Sequence, residues 1–323
     1  YKGSFYYKMA GGMGDVIIAP LYLGLVAKGV RFGFFQQIEE LVPSEKGDHI
    51  GTVRVRRQAR LKDGDPWGYQ PLKDVKGLPS WPSEEQFALF NHRVIDALRE
   101  NVSGRDIVLL TAGYSHKPIA DALPNMLFCE PGVGYEGVFT DRCAFESYAW
   151  MHYVYGKNGI ADGRWFDCVI PNYFDTSQFS VGSGTGGYLL YLGRLIHRKG
   201  VETAALIAQE SGMPLVVAGA GKMDLPGDVE FVGPVGVEER NKLMGDALAL
   251  LAPTYYIEPF GGVAVEAMMC GTPAVTFDVG AFTETIPHGL AGYRFHTLEE
   301  GVRYTKKALE LNNDQIRDYA LSR

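Results

Sequence analysis

Cysteine is scarce in this sequence: Cys129, Cys143, Cys168 and Cys270 stand among 323 residues, and no two have a C-x-x-C spacing. The usual frameworks for a zinc site or a disulfide-stapled domain are therefore missing. Free thiols in or beside apolar runs fit a reducing compartment instead. Long hydrophobic runs are missing too. The longest, residues 16–27, falls short of the about 20 residues a spanning helix needs and contains Pro20. No secretory leader is read in the chain, and a cytoplasmic location is expected. There is no H-E-x-x-H and no G-x-S-x-G, so zinc proteases and serine hydrolases of those types have no support. Nor is there a surplus of positive charge. Against 38 Asp and Glu stand 31 Lys and Arg, and the net charge of -7 argues against nucleic acid as a general partner.

Glycine is abundant, with 40 residues, many just after short apolar runs. Short β-rich runs alternate with helical patterns from end to end, which predicts parallel sheets covered by helices. In the first half, strands are expected at 2–6, 31–35, 52–56, 106–111, 125–129 and 166–170, and helices at 16–28, 83–101, 118–123 and 141–155. The stretch 58–82, rich in Pro, Gly, Asp and Lys, reads as a long loop. Ser180-Val-Gly-Ser-Gly-Thr-Gly-Gly187 suits an interdomain linker. A second series follows, with strands at 188–192, 214–218, 230–232, 247–251, 274–277 and 292–295, and helices at 200–210, 237–244, 262–270 and 298–311. The expected fold is α/β: two doubly wound, Rossmann-like domains, 1–175 and 176–323, facing each other across a cleft. Ligands of such sheets sit beyond the C-terminal strand ends.

Two motifs carry chemistry. In Glu258-Pro-Phe-Gly-Gly-Val-Ala-Val-Glu266, two carboxylates straddle a Gly-Gly pair that follows a buried strand and opens a helix. Helix-start N–H groups with no Cβ in the way can seat phosphate or sugar oxygens. Glu258 lies just outside that seat. Glu266 lies about a turn inside and leans back toward it. Plain helix-capping acids would leave the same spacing. In Tyr-Leu-Gly193-Arg194-Leu-Ile-His-Arg-Lys199-Gly200, Arg194 offers a planar fork and Lys199 a point charge, which together suit a diphosphate. A solvated basic turn is the competing reading, and His197 and Arg198 are set aside as such.

In order, Gly193-Arg194 with Lys199-Gly200, Val217-Ala-Gly-Ala-Gly221, Val229-Glu-Phe-Val-Gly233, Glu258 to Glu266, Gly271-Thr-Pro-Ala-Val and Gly280-Ala-Phe-Thr-Glu284 resemble retaining glycosyltransferase family 4, of the GT-B fold. Pro171-Asn172 with Asp175 resembles the family's interdomain junction, and Gly11-Gly12-Met-Gly14 its N-terminal glycine loop. The resemblance implies a metal-independent, retaining hexosyltransferase without a cofactor. It would take its sugar from a UDP- or GDP-sugar and pass it to a hydroxyl on a glycan, lipid or small molecule. It also implies roles. Arg194 and Lys199 would neutralise the leaving diphosphate, Glu258 would accept from sugar hydroxyls, and Glu266 from the ribose. Backbone N–H groups around Phe260, Gly261 and Gly262 would hold sugar and phosphate oxygens. Gly233 to Val235 would line the base pocket, and Gly12 would let the N-terminal domain approach the phosphates. His116 is a candidate for the family's sugar-facing histidine, an ordinary loop histidine being the alternative.

Departures and lookalikes bound this reading. The family closes with a helix crossing back onto the N-terminal domain; after 314–321 this sequence ends at Arg323, so that helix is expected to be short or missing. Tyr135 and Trp150 fall in glycine- and aromatic-rich segments that suggest an acceptor pocket, although aromatic packing explains Trp150 as well. Gly182-Ser-Gly-Thr-Gly-Gly187 fits G-x-G-x-x-G but precedes a strand, so it is no dinucleotide fingerprint. Asp63-Gly-Asp65 lies in a polar stretch and reads as a surface turn. A nucleotide-sugar epimerase, a sugar phosphorylase and a non-catalytic nucleotide-sugar binding protein stay open at this point. A transferase acting on modified DNA bases has only the basic cluster Arg54, Arg56, Arg57, Arg60 and Lys62 behind it. That cluster reads as a charge-protected edge strand or as an attractor of an anionic acceptor or membrane surface. If it attracts an acceptor, neutralising Arg54 and Arg56 should raise the acceptor KM in a salt-sensitive way and leave donor affinity alone. Unchanged acceptor kinetics at low salt would remove that role.

Overall fold

The structure is a computed structural model that describes Lys28 and residues 36–44, 50–57, 59–62, 65–71, 84–102 and 106–322. The expected strands at 2–6 and 31–35, most of the helix at 16–28 and Gly12 lie outside the described residues. The chain divides into two compact units, Tyr1–Leu89 and Phe90–Arg323. The boundary expected at 175/176 falls within the second, between its two sheets.

In the first unit, β1 (Gln36–Pro43) pairs antiparallel with β2 (Ile50–Arg57), and β3 (Ala59–Lys62) with β4 (Asp65–Pro71). Both hairpins correct the sequence reading. Thr52-Val-Arg-Val-Arg56 alternates strictly, as a half-exposed antiparallel strand does, whereas buried parallel strands are apolar throughout. Arg54 faces Glu40 across the hairpin, and the two form an exposed ion pair at 2.8 Å. Within 58–82, read as loop, Asp63-Gly64 stands between two strands, a hairpin signal outweighed there by composition.

Helix α1 (Glu84–Asn101) leads into the second unit, where Val94, Ile95 and Leu98 pack against Leu110, Ile119 and Phe128. Four parallel strands follow in sequential order: β5 (Ile107–Leu109), β6 (Leu127–Val133), β7 (Cys143–Phe145) and β8 (Cys168–Val169). Helices α2 (Lys117–Ala122) and α3 (Tyr148–Lys157) accompany them. A single helix was expected over 141–155. Instead Cys143-Ala-Phe145 is a buried strand, and the helix starts only at Tyr148, where Ser147 Oγ accepts from the Trp150 N–H at 3.1 Å.

The second sheet has six parallel strands: β9 (Leu189–Leu192), β10 (Leu215–Ala218), β11 (Val229–Gly233), β12 (Ala249–Ala252), β13 (Ala274–Phe277) and β14 (Gly292–Phe295). Their residues alternate between two cores. Leu190, Val216, Leu250 and Ala274 belong to one, and Leu189, Val217, Leu251 and Val275 to the other. Helices α4 (Val201–Ser211), α5 (Val237–Asp246), α6 (Gly262–Met269), α7 (Phe282–Thr285), α8 (Leu298–Ala308) and α9 (Asn313–Leu321) complete the unit. Helix α9 docks on this half through fully buried Ile316 and through Arg317, which donates to the Phe179 carbonyl at 3.1 Å. Among the described residues, no helix is long and apolar enough to cross a membrane.

The six strands lie in the order β11-β10-β9-β12-β13-β14, so the chain reverses direction of travel between β9 and β12. That switch point is where doubly wound sheets open a crevice at the strand ends. Two glycines let the loops there close up. Gly200 has φ +75, and a Cβ on it would overlap the Pro253 carbonyl oxygen just beyond β12. Gly219 just beyond β10 meets the Gly193 carbonyl in the same way. Gly200→Ala combines left-handed backbone with a clash and should cost more than about 2 kcal/mol. Gly212→Ala, at φ +72 with nothing within 4 Å, should cost about 1 kcal/mol. Urea unfolding midpoints would compare them; equal losses would mean that the close approach imposes no constraint.

Candidate functional site

Two loops meet at the switch point, one after β9 and one after β12. The Tyr255 N–H donates to the Arg198 carbonyl at 2.9 Å, and the Tyr255 ring stacks on His197 at 5.5 Å. With the loops joined, Lys199 Nζ donates to Glu258 Oε2 at 3.0 Å. The two side chains are only 23% and 14% exposed. The structure thus pairs with each other two residues 59 positions apart that the sequence reading assigned separate ligand atoms. Beneath them lies Tyr256, half-buried, with Lys199 Nζ 4.8 Å and Arg198 Cζ 4.3 Å from its ring centre. Burial pushes its phenol above the ordinary value. Sequence reasoning missed Tyr256 and set aside Arg198 and His197, because their role depends on a contact between distant loops. Arg194 at the mouth of the β9 loop is exposed, and its backbone carbonyl accepts from the Tyr191 hydroxyl at 3.0 Å.

Next comes the helix start. Gly261 is the N-cap of α6 at φ +79, and no side chain caps the helix. A Cβ at Gly261 would strike the Phe282 ring, so glycine is needed both for its backbone and for the space. Gly262 lies against Phe174, whose ring stacks on buried Phe260 at 6.0 Å. The first-turn N–H groups carry the positive end of the helix dipole. Glu266, one turn in, is largely buried and lies 3.4 Å from Arg240. Burial holds its carboxyl above the ordinary value, and the Arg240 charge pulls the other way. Gly233 ends β11 at φ +77 and accepts from the Gly219 N–H at 2.8 Å, and half-buried Val235 follows in the next turn.

The loop carrying Glu258 is also held by the four-stranded half. Ile257 packs into the core of Val133, Val138, Phe145 and Trp150, and the Pro259 carbonyl accepts from Ser147 Oγ at 2.6 Å. From α7, Glu284 accepts from the Tyr148 N–H at 3.0 Å and the Ala149 N–H at 2.6 Å, which caps α3 from the other half. Glu146, just before this junction, is half-buried. Burial first, and the Glu258 charge in addition, raise its pKa, while a hydrogen bond from the Asn172 side chain opposes the shift.

Other anticipated residues stand elsewhere. His116 lies just beyond β5, its Nδ1 2.7 Å from Asn91 Oδ1 and its ring 5.2 Å from Phe90, and burial lowers its pKa. The Tyr135 hydroxyl donates to fully buried Glu130 at 3.1 Å, and burial raises its pKa. Trp150 is packed in the core. Arg54 is in the first unit, Arg56 is in β2 there, and Gly12 is outside the described residues.

Residues 174–320 match the family described as Glycosyl transferases group 1. That region resembles a group 1 glycosyltransferase domain. It holds the whole β9 and β12 loop system described above. A glycosyltransferase of Methanocaldococcus jannaschii, described as uncharacterized, is 37% identical over 119 residues, which cover 32% of this chain and 30% of that protein. The phosphatidyl-myo-inositol mannosyltransferase of Propionibacterium freudenreichii is 37% identical over 153 residues, 45% of this chain and 40% of its own length. The chain thus matches less than half the length of either relative. Among solved structures, Anabaena HepE in complex with UDP-glucose superposes with a TM-score of 0.59 at 18% identity, over 75% of this chain and 80% of that one. The fold is GT-B, and the residues matched by the family make up its six-stranded half.

The pairing of Lys199 and Glu258 can be tested by itself. Glu258→Gln leaves a partly buried ammonium without its anion and should cost about 1–3 kcal/mol; Lys199→Met with Glu258→Gln should recover part of that. A double-mutant cycle in urea would show the coupling. A coupling energy near zero would mean that the contact holds nothing together.

Proposed function

We propose that the protein is a retaining glycosyltransferase that moves a sugar, a hexose in our reading, from a UDP- or GDP-sugar to an acceptor hydroxyl. One observation carries this. The Lys199–Glu258 pair sits at the strand switch point, in the loops that flank the uncapped helix start at Gly261-Gly262. A cation, a carboxylate and open amides suit a ligand that is anionic at one end and rich in hydroxyls at the other. HepE, of like fold, is seen with UDP-glucose, and the relative from Propionibacterium is a mannosyltransferase, both of which support a nucleotide-sugar donor.

The diphosphate takes Lys199 from Glu258, and Glu258 is then free to accept from sugar hydroxyls. Arg194, exposed at the loop mouth, joins Lys199 and the α6 amides as a fixed positive partner. Negative charge gathers on the diphosphate as the bond to the anomeric carbon breaks, and preorganised charges stabilise that state more than the ground state. The acceptor oxygen bonds to the anomeric carbon on the same face from which the diphosphate departs, which gives retention, and a leaving phosphate oxygen takes the acceptor's proton. Glu266 and the turn at Gly233–Val235 serve the nucleoside, and His116 and Gly12 the sugar and phosphates from the N-terminal half. With side chains supplying the charge, neither a metal nor a cofactor is needed. Residues 1–175 would serve the acceptor and 176–323 the donor, a division that the family match over 174–320 supports. The acceptor candidates are Tyr135 and, in the first unit, Arg54 and Arg56, whose charge suits an anionic lipid or glycan. Four free thiols fit a cytoplasmic setting.

Arg194→Ala and Lys199→Ala should each lower kcat by roughly 10²–10³, by analogy with removing an oxyanion donor. EDTA should leave turnover unchanged, and NMR should show the donor's anomeric configuration in the product. Near-normal turnover in both variants would overturn this assignment of charges.

A further inference from the structure

The carboxylate of Glu146 has a place that the fold alone does not explain. It follows β7 and lies against the Cα of Gly134, where a Cβ would stand 2.8 Å from Oε2 and 3.0 Å from Oε1. A glycine therefore leaves it room. Its neighbour Ser147 donates to the carbonyl of Pro259, which is the neighbour of Glu258. Glu146 and Glu258, from the two halves, each immediately precede a residue of that bonded pair, and the Glu258 charge is felt at Glu146. Glu258 has Lys199 as its cation. Among the described residues none forms an ion pair with Glu146, and the neutral side chain of Asn172 is its hydrogen-bond partner.

Partly buried carboxylates without a cation, set beside a second carboxylate, work against folding and concentrate at functional sites. Two acids are too few ligands for a divalent ion, and among the described residues no group of three or more His, Cys, Asp or Glu could hold one. A hydroxyl needs only an acceptor oxygen. We propose that Glu146 is a second sugar-binding carboxylate, accepting a hydrogen bond from a hydroxyl of the same nucleotide-linked sugar that Glu258 faces. This rests on the transferase reading above and adds to it a contact from the four-stranded half. The sugar is then gripped from both halves at once, and its hydroxyl pattern is read by two acids rather than one.

Calorimetry on the full chain tests the idea. Wild type, Glu146→Gln and Glu146→Ala would be titrated with UDP-glucose, UDP-galactose, UDP-N-acetylglucosamine and GDP-mannose, and with UDP and GDP alone. Both variants should bind UDP and GDP as wild type does. For the preferred sugar nucleotide, Glu146→Ala should lose about tenfold in affinity, with Glu146→Gln between it and wild type. Glu146→Gln should melt no lower than wild type at pH 7. Its removal of a carboxylate whose folded pKa is raised takes away a penalty present above the ordinary carboxylate range. Unchanged sugar-nucleotide affinity in both variants would overturn the proposal. So would an equal loss for UDP and its sugar, or a lowered melting temperature in both variants, each of which gives Glu146 to the fold. Wild type that binds none of these nucleotides would instead overturn the transferase reading itself.

Discussion

The meeting of the β9 and β12 loops depends on a crossing of strands. Because β9 and β12 are neighbours in the sheet, the segments that leave their ends run side by side before diverging to different helices. The Lys199–Glu258 ion pair, 3.0 Å long and largely shielded from water, ties them at their closest approach. Gly200 permits that approach, Tyr256 supports the cations from below, and Gly261 turns the chain into α6 at the same place. A buried pair of this kind is poor evidence for stability, since desolvation offsets much of the Coulomb gain. Its value lies in holding a cation and an anion at fixed positions beside open amides.

Much of the six-stranded half was legible because most of its strands are short, mainly apolar runs, and three of them end at or just before Gly193, Gly219 and Gly233. The strands at 274–277 and 292–295 were placed residue for residue. The switch-point loops were legible for a related reason, since Arg194, Lys199, Glu258 and the Gly-Gly pair are local in sequence and chemically unusual. The first half was read less well. Cys143-Ala-Phe145 is too short to show a period, and a helix pattern swallowed it. Val-Arg alternation at 52–56 belonged to a hairpin, because pairing partners are a matter of distant contacts that one strand does not declare.

What the sequence could not disclose was which side chains face one another. Lys199 and Glu258 each looked ready for a ligand, yet each is the other's partner without one. Tyr256 looked like filler between two motifs, and it is the surface on which two cations rest. Glu146 stood unremarked in a segment read, for its aromatics, as an acceptor pocket, and the Ser147–Pro259 bond ties that segment to the Glu258 loop. In each case the deciding fact is a contact between residues 57 or more positions apart, outside the reach of spacing rules.

The capping of α3 carries a consequence of its own. Two N–H groups in its first turn end on Glu284, and its N-cap serine also donates to Pro259, so the beginning of this helix is finished by atoms from the other half. Swinging the two halves apart must strand those amides or hand them to water. The helix end thus behaves as a latch whose integrity and the width of the opening are one equilibrium. Anything that favours the joined arrangement also favours the capped first turn of α3, and by linkage a better-capped turn favours the joined arrangement.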